Sequence, residues 1–196
     1  MSQVEKAFQA ILDRDVEWAR HLIESGVDVN AVGRQGDSLL HRAASEGLVP
    51  MVEMLIRKGA NVNAVNNNGV SPLYMAFPCP FCDFQDNALE VMKLLLEHGA
   101  DVNAATKRYK FTPLHFATAY PDGRRAAELL LEHGADVDAL DHEGRRPIDW
   151  CRTGDISALL RDAKAKKDLE LQPQPQPQPQ QKKNPSGPSF TPDHLL

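Results

Sequence analysis

Apolar residues recur in several segments of the chain at the three-to-four-residue spacing of an amphipathic helix. In one segment the apolar positions are Met51, Val52, Leu55 and Ile56, and in the next they lie within residues 91–96. Each stripe ends at a glycine, Gly59 or Gly99, which takes the left-handed conformation that ends a helix without the steric penalty of a Cβ atom. The pattern predicts helices that bury one face and stop at these glycines.

The helix-ending glycines recur at a nearly constant interval. Gly26, Gly59, Gly99 and Gly134 are separated by 33, 40 and 35 residues. A second series, "DSLLHRAA", "VSPLYMAF", "FTPLHFAT" and "RRPIDWCR", begins at residues 37, 70, 111 and 145, with intervals of 33, 41 and 34. Two independent markers with one interval indicate a tandem structural repeat. The near-identical strings at 94–104 and 129–139 are therefore interpreted as a helix end and its turn, not as a duplicated catalytic motif.

A short helix is predicted before each amphipathic helix. Ser71 and Thr112 are good N-cap residues because a hydroxyl accepts a hydrogen bond from a free backbone N–H. Pro72 and Pro113 follow at the first helical position, where a missing N–H costs nothing. Small side chains keep this helix thin, namely Ala43, Ala44, Ala76 and Ala117. One such unit has too little core to stand alone, which indicates a stack of units.

The strings "TPLHFA" at residues 112–117 and "LLEHGADVNA" at residues 95–104 resemble the signature of the ankyrin repeat family. The resemblance covers residues 3–163 and implies an all-α solenoid of stacked helix-turn-helix units with hairpin fingers. We expect about five units with the caps included: 3–32, 33–65, 66–105, 106–140 and 141–163. The last unit is predicted to lack a long second helix, with Trp150, Leu159 and Leu160 closing the end of the core.

Residues 164–196 are predicted to lie outside this repeat domain of residues 1–163. "KAKKDLEL" is expected to extend the last helix. "QPQPQPQPQQ" favours an extended polyproline II conformation, because alternating proline removes backbone donors. The Gln/Pro-rich tail is expected to be disordered, with Phe190, Leu195 and Leu196 as short-motif anchors.

The charge and hydropathy of the chain argue against nucleic-acid binding and against a membrane-spanning protein. The formal net charge is −5, and residues 164–196 carry five lysines against three acids, so the repeat domain carries about −7 and is a poor ligand for nucleic acid. No stretch of about 18 apolar residues would cross a membrane, and the acidic start "MSQVEKAFQAILDRD" does not resemble a signal peptide. We therefore expect a cytoplasmic monomer without a cofactor. Three cysteines, an odd number, do not make a disulfide framework.

No catalytic constellation is evident, since the chain has no glycine-rich phosphate loop, HExxH or GxSxG motif. The resemblance implies that His41 and His115, in the histidine position of "TPLH", make hydrogen bonds within and between repeats. His98 and His133 are expected to be exposed residues near helix C-termini, not metal ligands. The sequence therefore predicts a protein that is not an enzyme and has no metal site.

The third unit is seven residues too long, and the extra residues lie within "PCPFCDFQDN" at 78–87. Phe81 and Phe84 either pack on the neighbouring helices or form part of a contact surface. Cys79 and Cys82 have the CxxC spacing of redox and zinc sites, but no second CxxC supplies further zinc ligands. An inert cysteine pair and a redox- or metal-sensitive switch both stay open.

The hairpin of the fourth unit departs from the usual acid-and-glycine turn. It contains Lys107, Arg108, Tyr109, Lys110 and Phe111. With Arg34, Arg145 and Arg146 in other hairpins, it is predicted to form a basic rim on an acidic domain. Arg108, Tyr109 and Phe111 break the turn rule without an evident folding benefit, and both solvated charge and a docking edge stay open as interpretations.

These features together predict a scaffold, adaptor or inhibitor that binds a partner protein with an acidic patch. The resemblance implies a surface on the concave face, made of hairpin tips and first helices. The expected partner-binding residues are Arg34, Asp37, Ser45, Glu46, Asn67, Val70, Phe81, Phe84, Arg108, Tyr109, Phe111, Tyr120, Glu143 and Arg145. The alternative is an ankyrin effector of an intracellular bacterium that acts on a host protein, with the C-terminal tail as its export signal.

The resemblance also implies a covalent modification. Ankyrin repeats offer the asparagine of "VNA" to asparaginyl hydroxylases, with a leucine eight residues upstream and an acid two residues upstream. Asn30 and Asn103 meet both conditions, whereas Asn63 has Asn61 in place of the acid. Asn30 and Asn103 are therefore the expected hydroxylation sites in a eukaryotic cytosol.

Overall fold

The computed structural model describes residues 1–77, 85–120 and 122–170, where the chain folds as successive helix pairs. The helices are α1 (Gln3–Leu12), α2 (Val16–Glu24), α3 (Leu39–Ser45), α4 (Val49–Arg57), α5 (Pro72–Met75), α6 (Gln85–Glu97), α7 (Pro113–Ala119), α8 (Arg124–Glu132), a 3-10 helix (Pro147–Trp150) and α9 (Gly154–Glu170). The described ranges contain an isolated β-bridge between Val32 and Ser38 and no named strand. None of the helices described is long and apolar enough to cross a membrane. The all-α solenoid that the sequence predicts is confirmed.

The helices form two layers, with the first helix of each pair in one layer and the second helix in the other. In the first layer α1 contacts α3, α3 contacts α5, and α7 contacts the 3-10 helix, while α2, α4, α6, α8 and α9 contact one another in that order in the second layer. Leucines at equivalent positions are fully buried in one continuous core: Leu55, Leu73, Leu95, Leu114 and Leu130. A continuous core makes each helix pair depend on its neighbours.

The helix boundaries follow the capping residues. Ser38 Oγ accepts a hydrogen bond from the backbone N–H of His41 at 3.3 Å, and Thr112 Oγ1 accepts one from His115 at 3.5 Å. The second helices are followed by glycines with φ between 82° and 101°, namely Gly26, Gly59, Gly99 and Gly134. These helices therefore end where the glycine series predicts.

Four hairpin fingers precede first helices in the described part of the chain: finger 1 (residues 33–37), finger 2 (66–70), finger 3 (106–111) and finger 4 (141–145). In each, the N–H of the first residue donates to the carbonyl of the last, as from Asn66 to Val70 at 3.0 Å. Finger 3 is one residue longer than the others. Its Lys110, with a φ of 55°, takes the left-handed position that Gly69, with a φ of 74°, takes in finger 2.

Backbone hydrogen bonds also join each finger to the next. The donor and acceptor pairs are Asn67 with Gln35 (3.1 Å), Lys107 with Asn68 (2.9 Å) and His142 with Tyr109 (3.0 Å). The approach is close, since a Cβ atom on Gly69 would lie 2.8 Å from the backbone nitrogen of Lys107. The fingers therefore form a continuous layer.

Asparagine side chains tie the end of each unit to the next. Asn63 Nδ2 donates to the Gly99 carbonyl at 2.9 Å, and its Oδ1 accepts from the Asp101 N–H at 2.7 Å. Asn30 and Asn103 make the same pair of bonds one unit before and one unit after. Asp138 holds the next equivalent position, so the asparagine series stops there.

The last unit corrects the sequence prediction that it lacks a long second helix. α9 has 17 residues, and its continuation past residue 163 agrees with the expectation that "KAKKDLEL" extends the last helix. Lys164 Nζ donates to Asp138 at 2.8 Å, and Lys167 Nζ donates to Asp136 at 2.7 Å and to Asp138 at 3.1 Å. Ion pairs thus replace the asparagine bonds where the stack meets α9.

The end of the core is closed by Leu159 and Leu160, as predicted, but Trp150 is not part of the buried core. Ile156 and Leu160 of α9 are buried, and Leu159 is half-buried against the core. Trp150 is half-buried and donates its indole N–H to Asp141 at the base of finger 4. Helix α9, not Trp150, covers the last helix pair.

Candidate functional site

Four aromatic side chains cluster on the first-helix layer between the third and fourth units, and we call them the aromatic patch: Tyr74, Phe77, Phe116 and Tyr120. The ring centroid of Phe116 lies 5.0 Å from those of Tyr74 and Phe77 and 4.7 Å from that of Tyr120. All four are half-buried, so each presents part of its ring to solvent. Tilted and edge-on rings at these distances attract one another. The patch is therefore a preassembled apolar surface.

Only Tyr120 of this patch is among the predicted binding residues. A signal for two others is present in "SPLYMAF". Tyr74 stands where the neighbouring units have His41 and His115, and Phe77 stands where the second unit has Ala44. Tyr74 contacts Phe116 of the next unit through its ring. A position-by-position comparison of the units finds these departures, whereas the shared pattern hides them.

Burial controls the ionisation of Tyr74. Burial, and to a lesser degree the neighbouring Tyr120, raise the pKa of Tyr74 to about 12. The Tyr74 hydroxyl is therefore neutral in the physiological range. A neutral phenol offers apolar contact from its ring and a hydrogen bond from its edge.

A second aromatic cluster joins finger 3 to finger 4. The Phe111 ring stacks on His115 at 5.7 Å and meets Trp150 edge-on at 4.9 Å. Tyr109 is 43% exposed and lies 5.2 Å from the His142 ring. Phe111 therefore packs inside the fold, and the prediction that it breaks the turn rule without a folding benefit is wrong.

The buried carboxylate of Asp141 organises this cluster. It accepts hydrogen bonds from the backbone N–H groups of Glu143 (2.8 Å) and Arg145 (3.0 Å), and from Trp150 Nε1 (3.0 Å) and Arg145 Nε (3.0 Å). Burial by itself raises the pKa of Asp141, but the hydrogen bonds from Arg145, Glu143 and Trp150 outweigh it and hold the pKa well below the ordinary range. Asp141 is therefore ionised in the folded protein.

Among the described residues, only some of the cations in the predicted basic rim are exposed and uncompensated by an acid. The exposed cations of fingers 1 and 3 are Arg34, Lys107, Arg108 and Lys110. Arg145 instead pairs with Asp141 at 3.0 Å and with the exposed Glu143 at 2.8 Å, and its guanidinium lies 4.0 Å from the centre of the Trp150 ring. Because its partners compensate the charge of Arg145, the cationic surface is centred on finger 3.

Two further predicted binding residues make contacts within the fold. Asp37 is only 2% exposed, accepts a hydrogen bond from Asn66 Nδ2 at 2.8 Å and pairs with Arg42 at 3.2 Å. Glu46 is half-buried and pairs with Arg14 at 3.5 Å. Asp37 is therefore buried where the predicted surface needs it exposed, and its carboxylate is held by the hydrogen bond from Asn66 and the ion pair with Arg42.

Ser45 and Asn67 are exposed, whereas Val70 is half-buried. The Ser45 hydroxyl donates to the Arg42 carbonyl at 3.0 Å, and the Asn67 carbonyl accepts from Lys107 Nζ at 3.2 Å. Asn67 therefore lies beside the cations of finger 3.

His41 and His115 link successive units. His41 Nδ1 accepts from the Ser38 N–H at 3.0 Å, and its Nε2 donates to the Val70 carbonyl at 2.9 Å. His115 makes the equivalent bonds, at 3.3 Å and 3.2 Å. These partners assign the proton of the neutral ring to Nε2. Burial lowers the pKa of both histidines, so they are neutral at pH 7 and act as structural links.

The expected hydroxylation sites, Asn30 and Asn103, are exposed, although their side chains bind the next unit. The Asn103 N–H donates to Asp101 at 2.9 Å, and the Asn63 N–H donates to Asn61 at 3.0 Å. Asn61 therefore makes the same local hydrogen bond as an acid would, and it differs in charge alone. Hydroxylation at Asn30 and Asn103 stays a prediction.

The predicted cysteine pair lies outside the described residues, as do Phe81 and Phe84. Cys79 and Cys82 belong to this same segment, residues 78–84. Cys151 is half-buried, and burial raises the pKa of its thiol. In the part of the chain described, no group of three or more His, Cys, Asp or Glu side chains is placed to hold a metal ion.

Comparison with known proteins agrees with this architecture. The chain is 32% identical to the nuclear factor NF-kappa-B p105 subunit of Gallus gallus over 142 residues, which cover 71% of this chain and 14% of that protein. It is 36% identical to ankyrin repeat and SOCS box protein 16 of Homo sapiens over 102 residues, which cover 52% of this chain and 20% of that protein. The chain thus spans a fifth or less of these relatives. The family described as ankyrin repeats (3 copies) matches residues 7–105 and 81–141, and the chain belongs to the ankyrin repeat family.

Proposed function

We propose that this protein is a non-enzymatic interaction module that binds a partner protein through its first helices and fingers. Ankyrin repeats generally mediate protein–protein interaction, which supports the class of function. The aromatic patch carries the proposal for the surface. Its four half-buried rings lie on α5, α7 and the residues that follow them.

The composition of the patch favours binding. Tyrosine and phenylalanine are enriched in the cores of protein interfaces, because a large ring buries much area while few rotatable bonds are fixed. The rings already contact one another, so little side-chain entropy is lost when a partner covers them. The patch supplies apolar contact, and the cations of finger 3 supply charge.

The charge distribution favours a partner with an acidic patch. The chain carries a net charge of −5, yet finger 3 exposes Lys107, Arg108 and Lys110 and contains no acid. Cations at the rim of an interface steer an acidic partner toward the apolar centre and set the salt dependence of association.

Three buried titratable groups support a non-enzymatic role. His41 and His115 are hydrogen-bonded to the next unit, and Asp141 is hydrogen-bonded to its own finger and to Trp150. A side chain whose hydrogen bonds are all used in folding has no atom free for a substrate. The fold therefore explains these perturbed groups without catalysis.

Binding kinetics on matched variants test the proposal. A partner is first captured from a cell extract on the full chain and identified by mass spectrometry. We expect Tyr120→Ala to speed dissociation by an amount equal to about 1–2 kcal/mol, roughly 5- to 30-fold. Arg108→Glu should slow association, and the association rate of the unmodified protein should fall with salt as the Debye length shrinks below about 8–10 Å.

Controls are available on the opposite layer. Trp18→Ala removes an exposed ring from α2, and Lys93→Glu reverses an exposed charge on α6. Both controls should bind like the unmodified protein, and all four variants should keep its melting temperature within a few degrees. If Tyr120→Ala and Arg108→Glu also bind like the unmodified protein, the proposed surface is wrong, and the segment with Phe81 and Phe84 becomes the next candidate.

A further inference from the structure

Apolar side chains are exposed at one repeated position at the base of the fingers. Val32 is 62% exposed, Val65 55% and Leu140 58%. Each follows the alanine of "VNA" or "VDA", and Ala105, also exposed, holds the equivalent position before finger 3. We call Val32, Val65, Ala105 and Leu140 the apolar row. Single exposed valines are normal on a protein surface, but exposed apolar residues at the same position of successive units require an explanation.

A second row lies two residues further along each finger. It consists of Arg34, Asn67, Lys107 and His142, all exposed, and we call it the polar row. The residues between the two rows in fingers 2, 3 and 4 are buried: Asn66, Thr106 and Asp141. Val32 lies in extended backbone bridged to Ser38, and the exposed–buried–exposed order that follows it places residues two apart on the same side as each finger turns. The apolar and polar rows therefore share one surface.

The spacing along the rows follows from the hydrogen bonds of the fingers. Each finger adds two passes of chain, joined within the finger (Asn66 N–H to Val70 O, 3.0 Å) and to the preceding finger (Asn67 N–H to Gln35 O, 3.1 Å). Neighbouring hydrogen-bonded passes lie about 4.8 Å apart, so equivalent residues recur about every 9.6 Å. Packed helices stack at about 8–10 Å, which agrees with this spacing.

We propose that the two rows bind an amphipathic α-helix of the partner that has an apolar residue every seventh position and carboxylates beside that stripe. Seven residues of α-helix rise about 10.5 Å and return to nearly the same face, which matches the row within about 1 Å per finger. A β-strand covers about 10 Å in three residues, but its third side chain points to the opposite face. A polyproline II segment returns to one face about every 9.3 Å and is therefore a competing ligand in the test. The repeat therefore selects a helix over a strand.

The charges of the polar row and the side-chain volumes of the apolar row indicate which residues the partner helix carries. Arg34 and Lys107 flank the apolar row on one side, and finger 1 and finger 3 carry no exposed acid beside them. The partner helix carries Asp or Glu on the matching flank. Ala105 is smaller than Val65 and Leu140, so it leaves a gap in the row. The partner's central apolar residue, which fills this gap, is larger than its neighbours. This inference rests on the proposed function and names the class of partner.

Designed peptides test it directly on the full chain. The probe is a hydrocarbon-stapled helix with leucine at every seventh position and glutamate along one flank, labelled for fluorescence anisotropy. One control peptide has the same composition with leucine at every sixth position, which spreads the leucines around the helix. Another replaces each glutamate with lysine. We expect the probe to bind at least about tenfold more tightly than either control.

Matched protein variants locate the binding. Val65→Ser combined with Leu140→Ser should weaken the probe about tenfold or more, and Lys107→Glu should weaken it in a salt-dependent way. Trp18→Ser and Lys93→Glu, which change exposed residues elsewhere, should leave it unchanged. Melting curves establish that each variant is folded. If Val65→Ser unfolds the array, Val65→Thr replaces it, because threonine keeps the shape of valine and adds a hydroxyl.

Four results would overturn the inference: equal binding of the sixth-position peptide, equal binding of the lysine peptide, equal binding of a proline-rich peptide with leucine at every third position, or unchanged probe affinity in the row variants. The inference would also fail if the protein sedimented with anionic phosphatidylserine vesicles but did not bind the probe, because the rows would then bind a lipid surface. If the peptide tests fail but Tyr120→Ala still weakens binding of the captured partner, the proposed function stands and only this inference is wrong. If the peptide tests fail and Tyr120→Ala also leaves partner binding unchanged, both proposals are wrong.

Discussion

At the scale of single residues, Asp141 joins a finger, a cation and an indole through one carboxylate. Its oxygens accept four hydrogen bonds, two from backbone N–H groups and two from side chains. Asn66 holds the equivalent place in finger 2, where its Oδ1 accepts from the Asn68 and Val70 N–H groups and its Nδ2 donates to Asp37. Each side chain at this position fits the partners that its own neighbours supply.

We therefore expect Asp141→Asn to destabilise the protein although Asn66 is tolerated two fingers earlier. The new amide oxygen keeps the two backbone bonds, but its NH₂ group faces Arg145 Nε and Trp150 Nε1, which are donors that lose their acceptor. The melting temperature at pH 7 should fall on the order of 5 °C.

The pH dependence of stability tests whether the effect of Asp141→Asn comes from the loss of the Asp141 charge. The pKa of Asp141 is lowered in the folded protein from its ordinary 3.8, so the carboxylate stabilises the fold fully above about pH 4 and progressively less as pH falls toward the native pKa. The difference in melting temperature between the protein and Asp141→Asn should therefore shrink from pH 6 to pH 3. Asp162→Asn, at an exposed position of α9, is the control. A difference that stays constant with pH contradicts the assignment of the effect to the carboxylate.

At the scale of elements, α9 is held by ion pairs where earlier units use asparagine. Contact with Lys164 and Lys167 lowers the pKa of Asp138, and hydrogen bonding to Lys167 lowers that of Asp136. The same contacts raise the pKa of both lysines. Beyond Ala163 the helix exposes most of its residues, so these pairs are its main contacts with the stack.

Replacing both lysines by alanine should loosen the end of α9 without unfolding the stack. We expect the melting temperature to fall by about 2–4 °C at low salt, and this difference should shrink as salt screens the half-exposed pairs. Amide hydrogen exchange of residues 164–170 should rise more than that of α8. Lys166→Ala on the same helix serves as control, and equal exchange in the control and the double variant contradicts the role of the ion pairs.

The elements that repeat could be predicted from the sequence, whereas the contacts made where the chain departs from the repeat could not. Serine and threonine caps and left-handed glycines act within a few residues, so the helix boundaries followed from local rules. The burial of Asp37 and the packing of Phe111 depend on partners about 29 and 39 residues away, Asn66 and Trp150, which no local rule supplies. The aromatic patch depends likewise on Tyr74 meeting Phe116 across two units.

The attachment of α9 shows a related limit. Its extension past Ala163 is expected from the sequence, but its lysines and acids have no apolar stripe there that would indicate what the helix contacts. Its ion pairs with Asp136 and Asp138 are not predicted, because the repeat pattern presents both as ordinary turn residues. An asparagine changed to aspartate at residue 138 is the available signal, because it marks a unit that meets something other than another repeat.

At the scale of the whole molecule, the stack has one continuous core and two tryptophans at its opposite ends. Trp18 lies in α2 of the first unit and Trp150 in the 3-10 helix of the last. Leu95 lies between them in α6 and is 0% exposed. If stability is shared between neighbouring units, a defect at Leu95 is felt at Trp150, although no bond links the two residues directly.

Leu95→Ala should therefore shift unfolding throughout the stack. The lost contacts and the cavity cost about 2–5 kcal/mol, a large part of the stability of a domain this size. In a Trp18→Phe background, Trp150 fluorescence reports the last unit alone and far-UV circular dichroism reports all helices. We expect both signals to keep one common urea midpoint, and Leu95→Ala should lower that midpoint equally for both. Ser45→Ala, at an exposed position, should leave it unchanged. A Trp150 midpoint that stays in place while the dichroism splits into two transitions would show that the last units fold independently of α6.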